Sequence, residues 1–516
     1  MINIEVQCCE ISDVKADAVL IGSFEDKCSA NDMVCDSDPK LRSLIKPLVD
    51  EGEINGKLGT TSLIHSRGEI VPKRVLCVGL GQSSELSLDR LRGMAAATGR
   101  MLRDINCKNI GIHLGFLPRD FRYKDISMAV IEGFLLGQYR FTKYLQEKKV
   151  KEFEKFGIYL PVDVDFNSEL ISQAIETGAI IARSTNFTRD ICNEPANVLT
   201  PRKLSEIALD LAPEFNLNVR VMDEVQIKKL GMNLLTAVSA GSEQPPRLII
   251  IEHHGAGKDK PIHGLLGKGV TFDSGGVTLK VETAMSHMHL DKTAGAVVLG
   301  IAVALSLLKA RVNFTGVIPA VENMPDGRAY KPGDIIASLS GKTVEVTNTD
   351  AEGRLLMADS LTYMQQNLNI NHIIDFATLT GGSKTALGSE IIPFFANDKK
   401  MGELFKEACW HSGEICWEMP LYRKYLASLS SHVAHIKNHS EKGPSTILGA
   451  LFLAEFVEKN THWMHLDIGG HEFREEEFSY QPHGATALGM RSLIRYYLHL
   501  ANEDIGKDRT VENEGL

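Results

Sequence analysis

The stretch KTVEVTNTDAEGRLLMADSLTYMQQN, residues 342–367, joins two periodicities. Up to Thr349 apolar and polar residues alternate, as on a half-buried strand; from Arg354 the pattern is helical. The turn between them crowds two carboxylates, Asp350 and Glu352, against a guanidinium, Arg354. Gly353 permits a sharp exit into the helix. A strand feeding a helix through a short turn is the building unit of an α/β layer. In such folds binding sites gather at the carboxyl ends of the strands. Charge clusters are most often solvated loops, but two acids this close repel each other unless a cation neutralises them. The free amides at a helix N-terminus favour an anion beside Arg354. The turn reads as half of a metal site with an anion seat next to it.

The same alternation of elements continues on both sides. NVRVMD, RLIIIEHH, IHGLLGKGVTFD, VNFTGVIPAVE and HIIDFATLTGG are strand-like and are separated by helical stretches. They predict a central mixed sheet flanked by helices. Nearer the N-terminus, DAVLIGSF, RVLCVGLG and NIGIHLGF read as strands and LDRLRGMAAATGRMLRDI as a helix, a second α/β layer. GLGQSS lacks the full G-x-G-x-x-G spacing and reads as a strand-end turn rather than a phosphate loop. After the charged run QEKKVKEFEK, the stretch from Glu169 to about Thr188 has helical periodicity. A further helix begins at Pro201, with Thr200 as its N-cap. The expected division is an N-terminal α/β domain over 1–165, a linking helix over 166–188 and a catalytic α/β domain over 189–516.

Composition narrows the function classes. A chain of 516 residues exceeds one typical domain, and 43% hydrophobic residues suffice for sizeable cores. The net charge of −10 disfavours general nucleic-acid binding. Nine cysteines with no C-x-x-C pair suggest reduced thiols rather than a disulfide framework. MINIEVQCCEISDVKADAVL lacks a basic region ahead of a long apolar run, so no signal peptide is expected. AGAVVLGIAVALSLL falls short of the roughly 20 residues that span a bilayer and is expected to be a buried helix. A cytoplasmic protein without a membrane anchor follows.

Other strand ends carry further chemistry. In HGLLGKGVTFDSGGVTLK, Lys268 interrupts an apolar strand, and burying it demands an acid partner or loss of its charge. Five residues separate Lys268 from Asp273, so a regular strand would put them on opposite faces. The strand must break between them if both serve one site. Lys280 follows in the loop. Asp291 stands before a small-residue apolar helix, where a plain N-cap is the competing reading. His287, His289 and Asp291 alternate and on a strand would share a face, a possible metal set. Asp273, Asp291, Asp350 and Glu352 together suit two divalent ions. Nothing in the spacing makes lysine a ligand; a neutral amine needs a strongly depressed pKa.

These residues carry a resemblance. NTDAEGRL, GKGVTFDSGG with its following LK, DFATLTGG and WMHLDIGG resemble, in order and spacing, the leucyl aminopeptidases of the M17 metallopeptidase family, or cytosol aminopeptidases. The resemblance covers roughly residues 185–500; the first 165 match only in size and α/β character. It implies that Lys268, Asp273, Asp291, Asp350 and Glu352 hold two divalent ions, manganese or zinc, with Asp273 and Glu352 bridging. It implies catalytic roles for Lys280 and Arg354, with Gly353 and Leu379 beside a bicarbonate seated on Arg354. Met288 would line the pocket for the substrate's first side chain. Peptides with a free N-terminus, leucine-like residues preferred, would be the substrates, and the assembly a homohexamer. Two departures stand out. Lys292 and Thr293 follow Asp291 where the family usually has Met and a small residue, and a cation there can tune the metal or pair with a carboxylate. In AHIKNHSEKGPSTILGALF, His435 and GPST replace an acid and a Gly-Gly-Ala. A different dinuclear hydrolase, such as a phosphoesterase, and a DNA-binding regulator or scaffold on the same fold are the alternatives.

Overall fold

The computed structural model describes residues 2–29, 38–117, 122–146, 152–162 and 167–501. The chain forms two compact units, one of residues 1–183 with 477–482, the other of 184–476 with 483–516. The expected boundary at 165/166 lies outside the described residues. The periodicity from Glu169 belongs to a 26-residue helix, α1 (Ser168–Asn193), which runs farther than Thr188.

The first unit is built on β1 (Asn3–Cys8), β2 (Ala18–Ser23), β3 (Thr61–His65), β4 (Arg74–Gly79), β5 (Asn109–His113) and β6 (Lys155–Leu160). They form one sheet in the order β1-β6-β5-β2-β4-β3. All neighbours are parallel except β3 and β4. β2 is buried along its whole length, as a strand covered on both faces must be. Leu20, Leu76, Ile110 and Ile158 pack under helices Leu88–Asp104 and Tyr123–Gly137. Val19, Ile21 and Val75 pack on the other face with Leu41 and Ile45 of helix Pro39–Asp50. GLGQSS is a strand-end turn, with Gly81 at φ 74°.

The second unit holds β7 (Asn218–Met222), β8 (Arg247–His254), β9 (Ile262–Gly267), β10 (Gly269–Asp273) and β11 (Asn313–Asn323). After them come β12 (Ile335–Ala337), β13 (Thr343–Glu345), β14 (His372–Ala377), β15 (Ile391–Ala396), β16 (Ile415–Glu418), β17 (Ile436–Lys437) and β18 (His462–Asp467). The main sheet runs β16-β15-β18-β14-β9-β11-β8-β7, with β10 added beside β11. β9, β11, β14 and β18 are parallel, β8 runs antiparallel to β11 and β7, and β15 runs antiparallel to β18 but parallel to β16, so the sheet is mixed. One face is covered by α2 (Thr293–Leu307), buried nearly all round as a core helix should be. The wider window Glu282–Leu307 is long and apolar enough to cross a membrane by composition, but it is packed inside the protein. Across the sheet lies α3 (Gly353–Gln366), packed with helices Asn233–Ser239 and Ser445–Ala454 in one continuous core. The N-cap expected at Thr200 is present: its side chain accepts from Lys203 N.

Two expectations need correction. The alternation in KTVEVTNT does not give a strand reaching Thr349. Only Thr343–Glu345 pairs, in a separate three-stranded sheet with β12 and β17. Beyond it, backbone amides turn to side chains instead of a ladder: Thr347 and Asn348 donate to Asn438 Oδ1, and Thr349 to Thr278 Oγ1. Asp291 is not the N-cap of α2. It ends a short 3-10 turn, Met288–Leu290, and Lys292 occupies the cap position without a side-chain cap bond.

Candidate metal centre

The strand expected to break between Lys268 and Asp273 breaks at Lys268 itself. β9 lies between β11 and β14, whereas β10 pairs with β11 alone. The chain changes partners at Lys268, whose N–H donates to Phe376 O and whose carbonyl accepts from Gly295 N. The flanking glycines make this possible. A Cβ on Gly267 would meet Ala294 O at 2.5 Å, and one on Gly269 would meet Ile318 Cγ2 at 2.7 Å. The shift turns Lys268 and, five residues on, Asp273 toward one cluster at the carboxyl end of the sheet.

Lys268 Nζ lies 2.8 Å from Asp291 Oδ2 and 2.6 Å from Glu352 Oε1, and donates to Thr378 O. Lys280 Nζ lies 2.9 Å from Asp273 Oδ2 and 2.5 Å from Asp350 Oδ1. Asp273 Oδ1 accepts from Asn323 Nδ2 and Gly275 N, and Asp291 Oδ1 from Thr378 Oγ1. Four carboxylates thus share two ammonium groups, which leaves excess negative charge in a buried space. Burial, together with Asp273 and Asp291, pushes Glu352 up to about 7. Burial and the neighbouring Glu352 and Asp273 bring Asp350 to about 6, and burial with Asp273 brings Asp291 to about 6. Burial alone would lower Lys268, yet Asp291, Glu352 and Asp273 outweigh it and hold its pKa above the ordinary value. Lys280 is raised for the same reason by Asp273, Glu352 and Asp350. These acids favour the ammonium form of Lys268, whereas ligation requires the neutral amine.

Arg354 is 4% exposed, and its one hydrogen bond runs from Nη1 to Asn438 O, at 2.9 Å. Its Nε has no hydrogen-bond partner, and among the described residues no carboxylate lies within ion-pair distance. Burial lowers its pKa to about 10 against the pull of Glu352 and Asp467. A buried guanidinium with spare donors and no acid partner is suited to an anion. A Cβ on Gly353 would stand 2.9 Å from Lys268 Nζ, so a side chain there would push the ammonium from its place among the acids. Leu379 and Arg354 border the same spot on helix Ser445–Ala454: a Cβ on Gly449 would lie 3.1 Å from Leu379 Cδ2 and 3.7 Å from Arg354 Nη2. Met288 sits in the turn leading to Asp291.

His287 and His289 are not on a strand. They lie in and beside that turn, with their rings 6.5 Å apart, and His287 stacks on Phe473 at 4.0 Å. Neither belongs to the group of side chains arranged to hold an ion. Lys292 does not pair with a carboxylate. Its ammonium, buried and lowered by burial to about 8, donates to the carbonyls of Cys192, Glu194 and His289. Sequence reasoning missed Asn323, Thr378 and Asn438. Asn438 Nδ2 donates to Asn348 O and Ala351 O, so it braces the charged turn from about 90 residues away. A polar residue with no local pattern leaves no signal of such a role. Asp467 was visible within WMHLDIGG and accepts from Leu379 N, Thr380 N and Thr380 Oγ1.

The residues present fit metal ions. Asp273, Asp350 and Glu352 each offer an oxygen, all within 4.8 Å of one another, and Glu352 Oε2 is buried with no hydrogen-bond partner. Clustered hard oxygens with unsatisfied lone pairs suit divalent cations. Comparison with known proteins agrees. Residues 186–494 match the catalytic domain of the Peptidase M17 cytosol aminopeptidase family, and residues 20–148 match its N-terminal domain. The chain belongs to the cytosol aminopeptidase family. A probable cytosol aminopeptidase of Geobacter sp. (strain M21) is 38% identical over 93% of this chain and 96% of its own. One from Alkaliphilus oremlandii (strain OhILAs) is 35% identical over 95% and 98%. A mutant tomato leucine aminopeptidase superposes with a TM-score of 0.86 at 30% identity, over 97% of each chain. The bottromycin maturation enzyme BotP in complex with Mn gives 0.82 at 29% identity, over 94% of this chain and 100% of its own. As a member of the cytosol aminopeptidase family the protein is a metal-dependent aminopeptidase, a hydrolase of peptide bonds.

Proposed function

We propose that the protein releases the N-terminal amino acid from peptides at a site holding two divalent ions, manganese or zinc. Lys268, Asp273, Asp291, Asp350 and Glu352 would hold them. The observation that carries this reading is the unpartnered Glu352 Oε2 inside a cluster of acids whose cations are lysines. When bound, the ions supply Lewis acidity and a water acidic enough to ionise near neutral pH.

The chain's own groups do the rest. Lys268 must give up its proton to become a ligand. Lys280 keeps its charge and donates to the oxyanion that forms on the scissile carbonyl. Arg354 holds a bicarbonate through its spare donors and so provides a proton acceptor that no nearby side chain offers. Met288 gives the first side chain an apolar wall, the basis for a leucine-like preference. The family resemblance also supports a cytoplasmic homohexamer. Trp410, Ile415 and Trp417, each at least half exposed, are apolar surface that such an assembly would cover.

The test is hydrolysis of aminoacyl amides after chelation and after adding manganese. Activity should vanish and return, and acetylating the substrate's amine should block cleavage. Full activity without metal, or efficient cleavage of acetylated peptides, would defeat the reading.

A further inference from the structure

One buried acid beside the carboxylate cluster has no role in this chemistry. Glu472 follows Gly469, Gly470 and His471 after β18, and it is 8% exposed. Its Oε2 has no hydrogen-bond partner. Burial holds its carboxyl above the usual carboxylate range, against its own backbone amide and that of Gly470 and against the cations Lys268 and Lys384. Neither forms an ion pair with it. Lys268 is engaged by Asp291 and Glu352, and Lys384 passes over Gly470 to an exposed position. The next residue, Phe473, stacks on His287, adjoining the turn that carries Met288 and leads to Asp291. Glu472 therefore stands beside the metal cluster, on the side of that turn. A buried carboxylate with an unsatisfied oxygen is costly to keep unless a cation or donor arrives there.

We propose that Glu472 determines specificity by receiving a cationic first side chain, the ammonium of lysine or the guanidinium of arginine, at Oε2. The aliphatic stem lies along the apolar wall that would take leucine, and only the tip reaches the acid. The inference rests on the aminopeptidase reading above and deepens it to a substrate class.

The experiment compares kcat/KM for lysyl, arginyl and leucyl amidomethylcoumarins with the manganese-loaded enzyme. Lysine and arginine should be processed at least as well as leucine. Glu472→Gln, which keeps the shape, and Glu472→Met should each lower the lysine-to-leucine ratio by roughly 30-fold or more, chiefly through KM. Metal content by elemental analysis should not change. Lys384→Met should keep or raise the ratio, because it removes a competing cation. An unchanged ratio in Glu472→Gln would overturn the proposal. So would equal losses on all three substrates with matching drops in Tm for Glu472→Gln and Lys384→Met, the signature of a structural ion pair. If the metal-loaded wild type cleaved none of the three, the aminopeptidase reading itself would fall, and this inference with it. Brisk leucine cleavage with no lysine cleavage would remove the inference alone.

Discussion

Lys280 and Arg354 are two cations in one cluster, and their surroundings separate their tasks. Lys280 touches Asp273 and Asp350, so its charge is balanced within the acids and points at the reacting centre. Lys280→Ala should lower kcat on the order of 100- to 1000-fold, the usual cost of losing one oxyanion donor. Elemental analysis should still find the ions; a variant that loses them would make Lys280 a structural partner. Among the described residues no acid lies within ion-pair distance of Arg354, and its Nε has no hydrogen-bond partner. Wild-type activity should rise when bicarbonate is added to carbon-dioxide-depleted buffer, and Arg354→Ala should be slow and indifferent to it. An Arg354→Ala variant that responds like the wild type would place the anion elsewhere.

At the scale of elements, what could be read from the chain was what repeats locally. The continuous apolar runs of β2, β4, β5, β8 and β11 and of α2 are legible because elements buried on all sides require them. The break at Lys268 was legible because five residues cannot face one way on a regular strand. The end of β13 was not: alternation persists to Thr349, but Asn438 and Thr278 take the backbone bonds a strand would need. Nor was the destination of Lys292, since its acceptors are carbonyls about 100 residues away at the end of α1. There the ammonium meets backbone acceptors that a helix C-terminus leaves over. Lys292→Met has a similar length and removes the donor. It should destabilise the protein by about 1–3 kcal/mol, the cost of buried acceptors left unsatisfied, read as a lower Tm. Unchanged Tm would mean that water or a rearranged backbone replaces the contact.

Across the whole molecule, the carboxylate cluster ties stability to pH and metal together. Glu352, Asp350 and Asp291 sit at about 7, 6 and 6 in the folded, metal-free protein, above their ordinary values of 4.5, 3.8 and 3.8. The folded state therefore binds more protons than the unfolded chain between roughly pH 4 and 7. Stability from these groups is complete below pH 4 and is lost as pH rises through 6 and 7, because three acids must then ionise in a buried space. Other carboxylates in the chain act in the opposite direction, so the informative quantity is the difference between metal-free and metal-loaded protein. Bound ions reverse the sign for this cluster, since ligands must be deprotonated to bind. The Tm gain on adding manganese at fixed free concentration should be small at pH 5 and grow steadily to pH 7.5. Asp350→Asn removes one titrating acid from the cluster and should shrink that growth. A gain independent of pH would mean that the ions displace no proton at all, neither from these acids nor from Lys268, and would overturn both the raised acids and Lys268 as a neutral ligand.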